Sequence, residues 1–600
     1  MTVWWVPRAV PIAAYTTTYD YDVLARATTV TSPPVSAESG GGAAANVRPI
    51  TTTGYNAFGE AVSAKDPLGR VARTTVDRLG RAVAATLPAY TPPGAGTPLT
   101  ATSTVEYDKL SRVVAASDPA GRRTTFAYDR LDHETKRVEP NSLGGLQPPV
   151  DDNPPTWTST WTPTGLQLSA TDPVGARSEA TYDQLGRVLT ATVVERKPTL
   201  QNLTSRFTWD DAGNQTAATS PTGSVGKATY NVAGQILTAT DPLGRTSRRD
   251  CDGAGRLVKS TTPMGEAVRT RFDGLGNPVV AEDLDSAGTV LRTVTTAFDL
   301  EGRAVSTTSP TSGAVTTTRY DVLGRPVALT EPVSAGQSIT TTFGYDAAGN
   351  RTRLTDGRGN TTVYTFNAWG LPESTVEPST TAHPAAADRT WTTAYDVAGQ
   401  AVKLTEPGGV VNTRTFDPAG RVVRENGTGA ETATTDREFV YDKVGNLVQH
   451  NATALASQAY TYNDRGLLLK AGTDLNAQAQ TWEYDAEGRQ TKRWDKSTGT
   501  TYFGYKADGQ LDWAHNLQAN SDTRNFVTMY QVANQWMYDN AEDEVVKSIK
   551  SGGSVFVEVT PVYGNKSSPI PTSVNFFAFG SVEVNCEIIN SADSAGSSCK

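Results

Sequence analysis

The stretch "YDQLGR" occupies Tyr182–Arg187, "DPLGR" occupies Asp241–Arg245, and the reading of these two turns decides the fold. In the first, Asp183 stands at turn position i and Gly186 at i+3. In the second, Asp241 stands at i, Pro242 at i+1 and Gly244 at i+3. An Asp carboxylate caps a turn, Pro presets φ, and Gly accepts the left-handed conformation that follows a type I turn. Both turns therefore suit β-hairpins closed by a bulge. Between such turns lie runs such as "RVVAAS" (Arg112–Ser117) and "RTTFAY" (Arg123–Tyr128), which alternate in polarity as strands do.

The whole unit is aromatic-Asp-x-x-Gly-Arg, a short run, Asp-Pro-x-Gly, and a second run. Clear copies open at Tyr107, Tyr182, Tyr320 and Tyr484, and weaker copies fill the gaps from Tyr21 to Tyr505. There are 21 such starts, and the commonest step between them is 21 residues. One unit makes one hairpin, so about forty strands in series are expected. The fold class expected is mainly β: a long antiparallel β-hairpin repeat sheet. Longer steps carry inserts such as "TPPGAGTP" and "EPNSLGGLQPPVDDNPP", which read as surface loops.

Comparison of the copies separates packing from chemistry. The aromatic slot also holds Val76 and Cys251, so its role is packing, and a buried ladder is expected at Tyr182, Tyr230, Tyr320, Tyr345 and Tyr441. The Asp slot admits Asn56, Asn231, Asn367, Asn463, Thr162 and Lys506, and the Gly slot fails at Ala25, Ser111 and Asp132. That tolerance is turn chemistry. "DCDG" at Asp250–Gly253 opens like a calcium loop but lacks the later ligands. The structural repeat is thus carried by Tyr182, Asp183, Gly186 and Arg187, and again by Tyr320, Asp321, Gly324 and Arg325.

Bulk properties agree with this reading. With 37% hydrophobic residues the chain is lean for one large core. A net charge of −9 argues against a chain whose bulk binds nucleic acid. Three cysteines exclude a disulfide scaffold, although a Cys586–Cys599 bridge is compatible with the sequence. There is no run of 18 apolar residues, so no membrane span is expected. The start, "MTVWWVPRAVPIAAY", does not read as a signal peptide. A secreted or cell-surface location without a recognisable signal peptide is the expectation, with the chain a fragment of something longer as the alternative.

Over about residues 15–512 the recurring motif resembles the RHS/YD-repeat family. The resemblance implies a β-sheet that spirals into a hollow shell. In bacteria such a shell commonly encloses a toxic C-terminal segment, and related shells occur in surface adhesion proteins. The family's closing box of Asp-Pro-x-Gly-Leu type is absent, so autoproteolysis is not carried over. The domains expected are a repeat array of about 21 hairpins over 1–512 and a distinct C-terminal unit over 513–600.

After Tyr505 the period is lost. "NAEDEVVKSIKSG" (Asn540–Gly552) reads as a helix, with Val545, Val546 and Ile549 on one side. "SVFVEVTPVYG", "SVNFFAFG" and "EVNCEIIN" read as three strands, completing a small α/β domain. The stretch from Trp513 resembles the DNA/RNA non-specific endonuclease family, whose metal site sits on a ββα element. Asn525 and Asn534 are nine residues apart, and Glu542 lies eight beyond, as in the family pattern. The resemblance implies His515 as general base, Asn534 as ligand of Mg2+, Glu542 orienting a metal-bound water, and Asn525 as support. The departures are equally specific. His515 follows Trp-Ala instead of Arg-Gly, it is only ten positions from Asn525, and the segment carries five basic residues against nine acidic.

His133, His383 and His450 are scattered among the repeats, and no zinc spacing, Walker loop or G-x-S-x-G is present. Two functions follow as expectations. One is a polymorphic toxin delivering a Mg2+-dependent nuclease, with DNA or RNA as substrate, an immunity protein as restraint, and secretion machinery as partner. The other is a non-catalytic shell or surface protein with a nuclease remnant.

Overall fold

A computed structural model describes residues 15–141, 153–334, 336–429, 434–452, 456–473, 475, 479–517, 555–562, 573–580, 584–589 and 598–599. Forty-two strands belong to one sheet. The chain divides into two compact units. The first comprises Met1–Asn476 with Asp485–Arg489 and Ala507–Gly509; the second comprises Ala477–Tyr484, Gln490–Lys506 and Gln510–Lys600.

In the first unit the strands form a meander in which sequence neighbours pair antiparallel. Arg177–Tyr182 pairs with Val188–Glu195, which pairs with Gln201–Trp209, which pairs with Gln215–Thr219. The expected bulge is at the aromatic residue: the register shifts between Thr181 and Tyr182 and between Arg319 and Tyr320. Both turn types close as read. Gly186 N–H donates to Asp183 O at 3.0 Å and Gly244 N–H to Asp241 O at 2.9 Å. Gly186 and Gly324 both have φ 80°, the left-handed region that follows a type I turn.

The three positions where the glycine slot fails keep the same backbone: Ala25 has φ 59°, Ser111 66° and Asp132 69°. A left-handed conformation costs a residue with a Cβ more than it costs glycine. Ala25→Gly is therefore expected to stabilise the first hairpin by about 0.5–1 kcal/mol. Slower amide exchange across Thr18–Thr31 is the readout, and unchanged or faster exchange would refute the assignment.

The aromatic ladder is less buried than expected. Tyr182, Tyr230, Tyr320 and Tyr441 are half-buried, and only Tyr345 is buried, at 8% exposure. The physical reason is that no α-helix covers the sheet among the described residues. Each ring lies over its neighbouring hairpin, so repeat stacks on repeat as in other repeat proteins.

Burial concentrates where the meander returns on itself. Hairpin ends from early repeats meet hairpin ends 263 to 297 residues later. Arg70 donates to Asn367 O at 3.0 Å, Trp369 Nε1 to Pro88 O at 2.7 Å, and Arg122 to Gln400 Oε1 at 3.2 Å. Arg196 pairs with Asp464 at 2.7 Å, Ser220 with Glu487, and Arg245 with Asp508. A small ribbon, Val35–Ala37 with Ala45–Val47, carries Glu38 to Arg353 at 3.1 Å.

Most of these contacts join Asp-Pro-type ends of the early repeats to aromatic-Asp-type ends of the later ones.

In the second unit, Gln480–Tyr484, Gln490–Asp495, Gly499–Tyr505 and Leu511–Leu517 continue the hairpin pattern. The three strands expected near the C-terminus are present as Val555–Val562, Ser573–Gly580 and Val584–Ile589. With Ser598–Cys599 they form a four-stranded antiparallel sheet, whose register sets Cys586 opposite Cys599. The helix expected over Asn540–Gly552 lies outside the described residues.

Candidate functional site

The repeat turn is a relay of hydrogen bonds. Asp183 Oδ1 accepts the N–H groups of Leu185 and Arg187, each at 2.9 Å, and its Oδ2 accepts Arg187 Nε at 2.6 Å. These bonds, first the main-chain N–H of Arg187, hold the Asp183 carboxyl below its ordinary pKa. The same arginine reaches forward and donates to Asp210 O at 2.7 Å, with its guanidinium 5.9 Å from the Trp209 ring centroid. Trp209 Nε1 in turn donates back to Val188 O at 2.8 Å.

The second marked copy repeats this. Asp321 accepts from Leu323 N, Arg325 N and Arg325 Nε at 2.9, 3.0 and 2.7 Å. Arg325 donates to Asp346 O at 3.2 Å and covers the Tyr345 ring at 4.6 Å. Tyr182 OH donates to Gln167 O at 2.7 Å and Tyr320 OH to Ala304 O at 3.0 Å. The packing reading of the aromatic slot thus holds for the ring and misses the hydroxyl. The slot admits Phe272 and Cys251 because the cross-hairpin bond adds to the stacking and is not required by it. The arginine's forward reach was also missed; its one signal was its recurrence after the turn glycine.

The histidines follow the repeat or leave it. His133 takes the arginine slot, with Nδ1 2.9 Å from Asp129 Oδ2 and its ring stacked on Trp161 at 5.5 Å. His450 stacks on Phe439 at 5.0 Å. His383 lies in the insert between two hairpins. Among the described residues no group of three His, Cys, Asp or Glu is placed to hold a metal ion. No helix among them is long and apolar enough to cross a membrane.

Of the residues assigned to a nuclease site, only His515 is described. It lies on the exposed strand Leu511–Leu517, opposite Tyr502 of Gly499–Tyr505. Desolvation holds its imidazole pKa below the ordinary value. Asn525, Asn534 and Glu542 lie outside the described residues. The boundary drawn between 512 and 513 falls within the strand that carries His515.

A model of the Teneurin YD-shell matches residues 380–537. The RHS Repeat model matches residues 107–142, 230–267, 298–335 and 345–382. Together these matches support an RHS/YD-repeat protein. No curated protein matches it by sequence. Among solved structures its fold is similar to TcdB2-TccC3 without the hypervariable C-terminal region, at 14% identity and TM-score 0.55, over 95% of this chain and 31% of that one. TcdB2-TccC3 itself matches at 12% identity and TM-score 0.54, over 96% of this chain and 39% of that one. The Photorhabdus luminescens Tc holotoxin pore matches at 12% identity and TM-score 0.52, over 94% and 32%. The chain therefore spans well under half the length of these neighbours.

Proposed function

We propose that this chain is the repeat scaffold of an RHS-type polymorphic toxin, a YD sheet that carries or encloses a C-terminal effector. The observation that carries the reading is the return of the meander on itself, through pairs such as Arg196–Asp464 and Glu195–Arg465. A sheet tied to itself in this way is a wall, and the similarity in fold to Tc toxin structures supports a toxin-like one. Secretion machinery and toxin-complex subunits are the partners this implies, and export from the cell is the corresponding location.

The effector proposed is a nuclease-like segment in which His515 is the base, Asn534 the ligand of Mg2+, Glu542 its water-orienting neighbour and Asn525 a support. Desolvation shifts the His515 imidazole pKa downward, the direction that favours the unprotonated form a general base needs. One amide oxygen with several waters suits Mg2+, which when bound would offset charge on a phosphate. DNA or RNA would be the substrate, and an immunity protein would restrain it.

A second reading is a non-catalytic YD shell or surface protein. It is favoured by one observation: the Teneurin YD-shell match runs to residue 537, through His515, Asn525 and Asn534. Plasmid nicking by the full chain separates the two. With Mg2+ the toxin reading expects nicking that EDTA abolishes and that His515→Ala lowers by about 100-fold or more. Nicking that survives His515→Ala removes the base assignment. Absence of nicking from the wild-type chain favours the second reading.

A further inference from the structure

At the aromatic-Asp ends of the early hairpins the third turn residue is apolar and faces water. Leu24, Phe58, Leu79, Leu110 and Leu131 are 57 to 90% exposed. They close five consecutive hairpins along one edge of the sheet. Hairpin ends recur about every 10 Å across a sheet, so the row runs for about 40 Å. An exposed apolar strip of this kind marks an interaction surface. The capping acids beside it are already paired, Asp77 with Arg81 at 2.6 Å and Asp108 with Arg112 at 2.7 Å. Asp132 also pairs with Arg112. Arg78, Lys109 and Arg130 stand exposed at the second turn position, so the charge that protrudes from the row is positive.

The later repeats show what covers such an edge. Their aromatic-Asp ends lie against Asp-Pro-type ends of the early repeats, with Arg70 on Asn367 O and Arg122 on Asp417 O. In the slot that holds leucine in the row, Trp369 donates to Pro88 O and packs edge-on against Tyr90 at 4.8 Å. Two sets of ends are left over. One is the leucine row, whose bonds among the described residues reach only the next hairpin, as Arg81 does to Asp108 O at 3.3 Å. The other is the Asp-Pro-type ends of three consecutive later hairpins, at Asp356, Glu377 and Glu406. Their acids bond only locally, to Arg358 N, Trp391 Nε1 and Asn412 Nδ2. At these ends Asp356, Glu377, Asp388 and Glu406 outnumber Arg358 and Arg389.

We propose that the leucine row seats the later Asp-Pro-type ends of a second copy of this chain, head to tail. The contact is the one the chain already makes with itself, moved between two molecules. Its charges match, acidic ends meeting a row whose protruding side chains are basic. A lipid surface would also suit a basic and apolar row, but it offers no counterpart to the bonds that hairpin ends exchange in the return contact. The interface is heterologous: each copy uses its row on one neighbour and its acidic ends on another, so copies add in series.

The test is sedimentation velocity of the full chain over rising protein concentration, where the wild type is expected to pass from one copy to several. Leu79→Ser with Leu110→Ser changes two largely exposed side chains, so the thermal melt should hold while association weakens about tenfold or more. Glu377→Lys with Glu406→Lys reverses the charge of the opposing ends and should weaken association to a similar degree. Head-to-tail contact makes a further demand. The two double variants, each a single copy alone, should form a 1:1 pair when mixed, because one keeps its acidic ends and the other its row. Leu200→Ser, 76% exposed in its own hairpin end away from the row, should associate as the wild type does. A single copy at every concentration, association that survives the two Ser changes, or no pairing on mixing would each overturn the proposal. Binding of a single-copy chain to phosphatidylserine vesicles, lost with the same Ser changes, would give the row to a membrane instead.

Discussion

Glu195→Ala is expected to lower the stability of the repeat array by about 3–5 kcal/mol, the cost of leaving a buried charge without its partner. Glu195 is 1% exposed and is the focus of four hydrogen bonds. Arg465 donates Nε and a terminal nitrogen to its two oxygens at 2.9 and 3.1 Å, Asn463 donates at 2.5 Å, and Gln201 at 2.6 Å. Removing the carboxylate strands the Arg465 guanidinium, itself only 14% exposed, against the early repeats. The partners are 268 and 270 residues apart in sequence, so the loss is a loss of the return contact and not of a hairpin. Hydrogen exchange should rise in Val188–Glu195, Gln201–Trp209 and Leu468–Gly472, while distant hairpins such as Arg351–Thr355 stay protected. A repeat array need not unfold in one step, so the exchange pattern is the better readout. A uniform rise along the whole meander, or a change under about 1 kcal/mol, would count against the return contact as the site of the loss.

The second large effect is expected at Asp417. It occupies the same motif slot as Asp183 and makes the same bonds, to Ala419 N, Arg421 N and Arg421 Nε at 2.9, 2.9 and 2.7 Å. The difference is tertiary: Asp417 is 2% exposed, because Arg122 and its turn lie over it, with Arg122 donating to Asp417 O at 3.4 Å. Asp417→Ala leaves Arg421 unpaired in a dry place and is expected to cost about 2–4 kcal/mol. Asp183→Ala deletes the same local bonds where water can replace them, and the shift in denaturant midpoint should be clearly smaller. Similar losses at the two positions would show that the cap alone, without burial, sets the stability.

These two positions also mark what could be read from residues alone. The turn chemistry of Asp183, Gly186 and their counterparts was legible because it acts between residues two to four apart. The bulge at each aromatic, the left-handed backbone at Ala25, Ser111 and Asp132, and three of the C-terminal strands followed from the same local logic. The depth of the aromatic ladder did not follow, since it depends on whether a second layer covers the sheet. The tyrosine hydroxyl bonds escaped because substitution at Val76 and Cys251 reported only on the ring. Of the nuclease-like set, His515 stands on an exposed hairpin strand, and the residues assigned with it lie outside the described part of the chain.

The sequence by itself determined the hairpin, its two turns, their spacing and their order along the meander. Those properties are set by i to i+4 hydrogen bonds and by backbone preference, which each 21-residue unit carries complete. Only the tertiary structure decided which of many equivalent turns are buried and which face water. Glu195 meets Arg465, and Asp417 lies under Arg122, because of where the sheet returns after 263 to 297 residues. No local interaction encodes that distance. It accumulates from the small twist between successive strands, summed over every hairpin and insert between the two partners.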